Sequence, residues 1–302
     1  MKIINYILRI IVGLVFILSG IAKLFPIEPF EIVFVDLGVA NWLTAPFLAR
    51  FIIAAELFLG LSILFNVWLK NKIYYTTQAS LIIFTVYLIY LLITKGNTAD
   101  CGCFGNFLPL SPIASILKNG VLFGLMVFIN KKNTSREIGT KKWLPLLFVV
   151  IAFVSTFLLN RVGLHNIQGI AVNKPIDFSE LPPLYKTNQK VDFSKGKKVV
   201  AFLSYQCEHC INATSKLVLL DREQKINNLY LVIGSKKEKG LLEFLEKTKP
   251  NFPFIWMNDD TFFKYSGGRL PAIIYMEDGV MKKKWYGELF DVDDIGNYFI
   301  HE

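Results

Sequence analysis

Five stretches of the chain are predominantly apolar, at about residues 3–25, 47–69, 74–94, 112–130 and 143–160. A membrane-crossing helix needs roughly 20 such residues, so each predicts a span. After about Arg161 the pattern changes, and short apolar runs alternate with Lys, Asp and Glu. Lys197–Ser204 predicts a strand, about Cys210 to Asn227 a helix, Leu229–Gly234 a second strand, and Lys237–Lys249 a second helix. Phe252 to Trp256 adds a short strand. Ala272–Gly279 and Val280–Tyr286 predict a hairpin turning at Asp278-Gly279. The expected fold is therefore multi-domain: an all-α membrane helix bundle of four helices plus one tethering span, followed by a soluble α/β domain. The expected boundaries are 1–132 for the four-helix domain, 133–161 for a cytoplasmic loop and fifth helix, 162–190 for a linker carrying Pro175, Pro182 and Pro183, and 191–302 for the soluble domain.

Composition agrees, since 53% hydrophobic residues in 302 is too apolar for an ordinary soluble protein. The net charge of +9 is unevenly spread: residues 1–161 hold 14 Lys/Arg against 6 Asp/Glu, and residues 162–302 hold 19 against 18. Basicity confined to membrane loops argues against nucleic-acid binding, which gathers Lys and Arg on a folded face. It favours loops that orient a protein in the bilayer. Connections near Lys70, Lys72 and Lys131–Lys142 are basic and expected in the cytoplasm; those at 26–46 and 95–111 are not, and are expected outside. Five spans with the amino terminus inside put everything after Arg161 outside. The first stretch is too long for a signal-peptide core, and no small-residue cleavage site follows it. The expected location is the bacterial inner membrane, with the carboxy-terminal domain in the periplasm. Lys282, Lys283 and Lys284 are expected to form a solvated strand face.

The chain has four cysteines, Cys101 and Cys103 in Asp100-Cys-Gly-Cys-Phe-Gly105, and Cys207 and Cys210 in Tyr205-Gln-Cys-Glu-His-Cys210. The expected topology brings all four to one face of the membrane. Pairs this close enclose small loops, restrain the unfolded chain little and make weak staples, so disulfide exchange is the favoured reading over structural bridges. A shared four-sulfur metal site is disfavoured by the single-residue gap of the first pair, and no metal is expected. The second pair stands in the order strand, Cys-x-x-Cys, helix, the context of a redox motif. There a helix start favours the first thiolate through its free N–H groups. Between the sulfurs, His209 when charged stabilises a thiolate and Glu208 opposes it, so the direction of electron flow is left open.

The second half resembles the thioredoxin superfamily, nearest its membrane-tethered TlpA/ResA-like branch. That resemblance implies Cys207 as attacking sulfur, Cys210 as resolving sulfur and Pro271 as the cis-proline facing them. The sequence departs from many relatives in having Tyr205-Gln206 before the first cysteine and Leu270 before the proline. In the first half, Arg9, Gly13, Phe16, Gly20 and Lys23 mark the first span, and Arg50, Glu56 and Gly60 the second. Lys118-Asn119 lies in the fourth span. With Cys-Gly-Cys-Phe-Gly, this pattern resembles the MauE/DoxX family over about residues 3–130. The family resemblance implies redox association, through disulfide formation in methylamine utilisation or thiosulfate-dependent quinone reduction.

Intramembrane ionisable groups are costly and usually paired or functional. Arg9, Lys23 and Arg50 lie near helix ends and are expected to snorkel. Glu56 lies deeper, and is expected either to pair with Lys23 or Arg50 or to handle protons; Glu56, Lys23 and Arg50 are together the candidate quinone or proton site. Cysteines are absent from the expected spans and cytoplasmic loops, so a thiol relay across the bilayer lacks stepping stones. The expectation is a thiol-disulfide oxidoreductase with no covalently bound cofactor, whose partners are the bilayer, an exported cysteine-containing client and a quinone acceptor. A periplasmic disulfide reductase and a non-enzymatic membrane assembly factor are the alternatives.

Overall fold

The computed structural model describes residues 2–97, 110–132, 143–259 and 261–300. They gather into two compact units, Met1–Phe34 with Thr44–Val162, and Val35–Leu43 with Gly163–Glu302.

The first unit is helical: α1 (Lys2–Leu24), α2 (Glu28–Asp36), α3 (Ala45–Leu64), α4 (Tyr74–Lys95), α5 (Pro112–Lys132) and α6 (Trp143–Leu159). Helices α1, α3, α4 and α5 are long and apolar enough to cross a membrane. At 17 residues α6 is shorter; it reaches about 26 Å at 1.5 Å per residue, against a hydrocarbon core of roughly 30 Å. The stretch expected to run to residue 69 ends as α3 at Leu64. There Asn66 and Trp68 adopt positive φ, and a π-helical turn, Leu69–Ile73, leads into α4.

Helix α1 explains why this unit belongs in lipid. Ile4, Ile7, Ile11, Leu14, Leu18 and Ile21 recur every three to four residues and are exposed, while Asn5, Arg9, Ser19 and Lys23 are buried. Such a helix is inside out for water but matched to a bilayer, where polar groups must find partners within the bundle. Small residues let α1 and α3 touch closely. A Cβ at Gly13 would lie 3.0 Å from the Gly60 carbonyl oxygen, and one at Gly60 would lie 2.9 Å from that of Gly13.

The second unit is a six-stranded sheet: β1 (Ile170–Pro175), β2 (Lys197–Ser204), β3 (Leu229–Gly234), β4 (Phe254–Met257), β5 (Ala272–Glu277) and β6 (Val280–Tyr286), in the order β1-β6-β5-β2-β3-β4. Strands β2, β3 and β4 run parallel, whereas β5 is antiparallel to β2 and β6 to β5. Helices α7 (Glu208–Gln224) and α8 (Glu238–Thr248) make the crossovers; α9 (Thr261–Ser266) precedes β5, and α10 (Val292–Gly296) follows β6. Strand β2 is apolar from Val199 to Leu203 because both its faces are covered there. Val199, Ala201 and Leu203 face one core layer with Leu217 of α7, and Val200 and Phe202 face the other with Phe262 of α9. The expected hairpin forms at Asp278 and Gly279, both with positive φ, as a tight two-residue hairpin loop requires.

Two expectations are corrected. The segment expected as a linker is folded. It supplies β1 at the sheet edge beside β6, bridges Ile167 to Phe290, and sends Phe178 and Leu181 into the core. Strand β1 is an exposed edge strand ending in proline, so it carries no alternating apolar signal. The lysine run is not a solvated face: Lys284 is buried and donates to the Ser266 carbonyl at 3.0 Å, and Lys283 pairs with Asp294 of α10.

Candidate redox site

Strand β2 ends at Ser204, two residues turn the chain, and Cys207 becomes the N-cap of α7 with extended backbone angles (φ −94°, ψ 108°). Its N–H donates to the Ser204 carbonyl at 3.2 Å, and its own carbonyl accepts from Cys210 at 3.0 Å and Ile211 at 3.2 Å. Cys207 is partly exposed and Cys210 fully buried in the core of the sheet-helix interface. Both are free thiols here. Cys207 holds its thiol well below the ordinary cysteine value, at about 7. The chief cause is a hydrogen bond from the Cys210 thiol; burial works against it, the Cys210 backbone N–H and His209 help, and Glu288 opposes. Cys210 is pushed far up, first by burial and then by its bond to Cys207, with Glu288 adding in the same direction. One sulfur is thus an accessible thiolate and the other a masked thiol, the asymmetry that stepwise disulfide exchange uses.

The Leu270–Pro271 peptide is cis, and the Pro271 carbonyl accepts from Gly287 N–H at 2.9 Å. That contact ties the proline loop to the turn after β6, where the next residue is Glu288. Glu208 is the exposed first residue of α7, an acid in the first turn, as the helix dipole favours. Glu288 is an acid the sequence reading missed. It is buried, takes the His209 Nδ1 at 2.6 Å on one oxygen and accepts from Asn212 Nδ2 at 2.7 Å on the other. Nothing local in Gly287-Glu288-Leu289 marks it, because only the tertiary fold brings it to α7. Cys101 and Cys103 lie outside the described residues. Among the described residues no group of His, Cys, Asp or Glu is arranged to hold a metal ion.

In the helical unit the expected snorkelling of Lys23 and Arg50 is overturned, because both are buried ion-pair members. Lys23 Nζ donates to both Glu56 oxygens, at 2.6 and 2.7 Å, and to Ser19 Oγ at 3.1 Å. Arg50 pairs with Glu31 at 2.6 Å, a partner the sequence reading did not name. It also donates to the Pro46 carbonyl at 2.8 Å, to Asn160 Oδ1 at 2.9 Å and to the Arg161 carbonyl at 2.8 Å. Arg9 is likewise buried, with Nη2 donating to the Leu64 carbonyl at 3.4 Å. Beside Lys23 and Glu56 a cavity of about 30 Å³ is lined by Ser80, Phe84, Lys118 and Asn119.

Comparison with known proteins agrees with this division. Residues 1–130 match the family described as methylamine utilisation protein MauE. Protein TlpB of Flavobacterium psychrophilum is 26% identical, over 93% of this chain and 91% of its own length. Among solved structures, a putative thiol:disulfide interchange protein DsbE from Chlorobium tepidum is 14% identical with a TM-score of 0.31, covering 43% of this chain and 90% of its own. The thioredoxin domain of a thiol-disulfide oxidoreductase from Bacteroides vulgatus is 17% identical with a TM-score of 0.31, covering 44% and 96%. Neither score carries weight alone. The strand order does: two parallel strands joined by α7, then an antiparallel hairpin beside the first of them, with a Cys-x-x-Cys at the start of α7. Residues 1–130 thus match the MauE family model, and the second half is a mixed α/β sheet domain whose strand order and Cys-x-x-Cys position resemble a thioredoxin-like fold.

Proposed function

We propose that this protein is a thiol-disulfide oxidoreductase of the bacterial inner membrane that oxidises exported protein thiols. The observation that carries the reading is the unequal pair at the start of α7, a partly exposed thiolate at Cys207 beside a buried thiol at Cys210. In the proposed cycle a client thiolate attacks Cys207 of the Cys207–Cys210 disulfide and releases Cys210. A second client thiolate attacks the client sulfur of the mixed disulfide, which leaves an oxidised client and a reduced pair. The Cys207 thiolate then attacks the Cys101–Cys103 disulfide, and Cys210 resolves that mixed disulfide. The Cys101/Cys103 dithiol passes two electrons and two protons to a lipid-soluble acceptor, for which a quinone at the 95–111 loop is the proposal.

The reading includes five spans, a cytoplasmic amino terminus and a periplasmic second unit, supported by the basic connections at Lys70, Lys72 and Lys131–Lys142. The test is Cys210→Ser in the full-length protein expressed in its membrane. The mixed disulfide that Cys210 resolves, between Cys207 and the Cys101/Cys103 pair, is expected to accumulate and to disappear under reductant. A Cys207 that forms no such mixed disulfide would instead favour a non-enzymatic assembly factor.

A further inference from the structure

Resting on the reading of Cys207/Cys210 as a redox pair, we propose that Glu288 is a positioning residue for that pair: its buried carboxylate holds His209 over the start of α7 and so controls the Cys207 thiolate.

Glu288 is held from several sides. Its carboxylate spans two residues of α7, His209 at 2.6 Å and Asn212 at 2.7 Å. Its backbone carbonyl accepts from Lys216 Nζ at 3.3 Å, and the same Nζ donates to the Phe290 carbonyl. Lys216 is itself fully buried and lies 3.1 Å from His165 Nδ1. On the other flank Gly287, at φ +78°, is bonded to Pro271. A carboxylate this enclosed is costly unless its charge is matched, and the His209 imidazole, when charged, matches it at 2.6 Å. The His209 side chain is 65% exposed while that of Glu288 is 7% exposed. The ring is therefore fixed from its buried side and open to solvent on the other.

The groups that shift the Cys207 thiol are Cys210, His209 and Glu288, with Lys216 and His165 behind Glu288 and the adjacent Glu208 exposed at the helix start. Of these, His209 lowers the Cys207 thiol and Glu288 raises it, and the His209 effect is the larger. Glu288 consequently acts in two opposed ways. Directly, its negative charge disfavours the thiolate. Through His209 it favours the thiolate, because a carboxylate at hydrogen-bond distance keeps an imidazole charged and in place. In the intact protein the indirect route outweighs the direct one. Without His209 only the direct route is left.

This gives a reversal of sign that a merely structural role would not produce. The measurement is the pH dependence of iodoacetamide alkylation at Cys207 in the reduced full-length protein in detergent, resolved from the other cysteines by peptide mass spectrometry. Glu288→Gln in the otherwise wild-type protein is expected to move the Cys207 midpoint up by about half a pH unit, roughly a threefold slower reaction below the midpoint. In a His209→Asn background the same substitution is expected to move the midpoint down by a similar amount. Asn212→Ala, which loosens the carboxylate without removing its charge, is expected to raise the midpoint by less. Shifts of one sign in both backgrounds, or none in either together with none in Asn212→Ala, would overturn the proposal. Failure of the underlying redox reading looks different: wild-type Cys207 would alkylate normally yet form no mixed disulfide with oxidised glutathione.

Discussion

The ion pair between Lys23 of α1 and Glu56 of α3 gives the sharpest handle on the membrane unit. The two side chains are 3% and 7% exposed, with Nζ 2.6 Å from the nearer carboxylate oxygen. Removing one member of such a pair strands a buried charge and costs about 3–5 kcal/mol. The structure ranks the two halves. Lys23 also faces the rings of Phe84 at 5.1 Å and Phe30 at 5.4 Å, and each desolvated cation–π contact is worth on the order of 1–2 kcal/mol. Glu56 retains the Ser19 hydroxyl at 3.5 Å. Glu56→Leu should therefore fall near the lower end of that range and Lys23→Met near the upper end. At roughly 2–4 °C per kcal/mol for a unit of this size, the melting temperature in detergent should drop by about 10 °C or more. The double variant should be more stable than either single one, because an apolar pair of similar volume removes the stranded charge. The assay is thermal unfolding of the three variants in one detergent, with Cys207-dependent thiol oxidation measured alongside. A double variant at least as unstable as Lys23→Met would refute the stability argument. A stable double variant that no longer turns over would assign Glu56 a proton-handling role.

Further outcomes follow from the thioredoxin-like unit. Cys207 should alkylate with a midpoint near pH 7, so at pH 6 about a tenth of it is thiolate, against well under one part in a hundred for a free thiol near 8.5. Cys210→Ala, which removes the thiol donor that chiefly lowers Cys207, should raise the midpoint by about one unit, while Cys210→Ser, which keeps a donor, should raise it less. Asp294 accepts from Gly169 N–H and Trp285 Nε1, each at 2.8 Å, and from Lys283. Asp294→Ala should cost about 2–4 kcal/mol and speed amide exchange in β1. Burial alone would raise the Asp294 carboxyl, but these hydrogen bonds outweigh it and hold the group below its ordinary value. A depressed carboxyl stabilises fully above its unfolded value, near 3.9, and that contribution is lost as pH falls through the lower folded value. The Asp294 contribution should thus persist to about pH 4 and disappear below it, as read by acid unfolding against Asp294→Ala.

Much of the fold is legible in the sequence because its strongest elements are periodic. Strand β3 and the Asp278-Gly279 hairpin lie where alternation and turn chemistry place them. The Cys-x-x-Cys lies at a helix start because an apolar strand ends just before it. Elements whose stability comes from distant partners were hidden. Strand β1 is exposed on most of its length and is held by β6, more than 100 residues on. Helix α2 is 9 residues long and acidic at both ends, so its pattern reads as loop. In the membrane unit, charge near a helix end reads as snorkelling until the partner is known, and Glu31 is nineteen residues from Arg50 in sequence. Glu288 shows the same limit at the redox site: the sequence offers Glu208 between the sulfurs, and the fold delivers a different carboxylate from beyond the hairpin.

In the proposed cycle electrons run from Cys207/Cys210 to Cys101/Cys103. Thiol trapping of the full-length protein and of variants retaining one pair, equilibrated across glutathione or dithiothreitol ratios, gives the reduction potential of each. Cys101/Cys103 is expected to be the more oxidising pair, by about 30 mV or more, a tenfold bias in the exchange. A Cys101/Cys103 pair more reducing than Cys207/Cys210 would contradict it and make the protein a disulfide reductase.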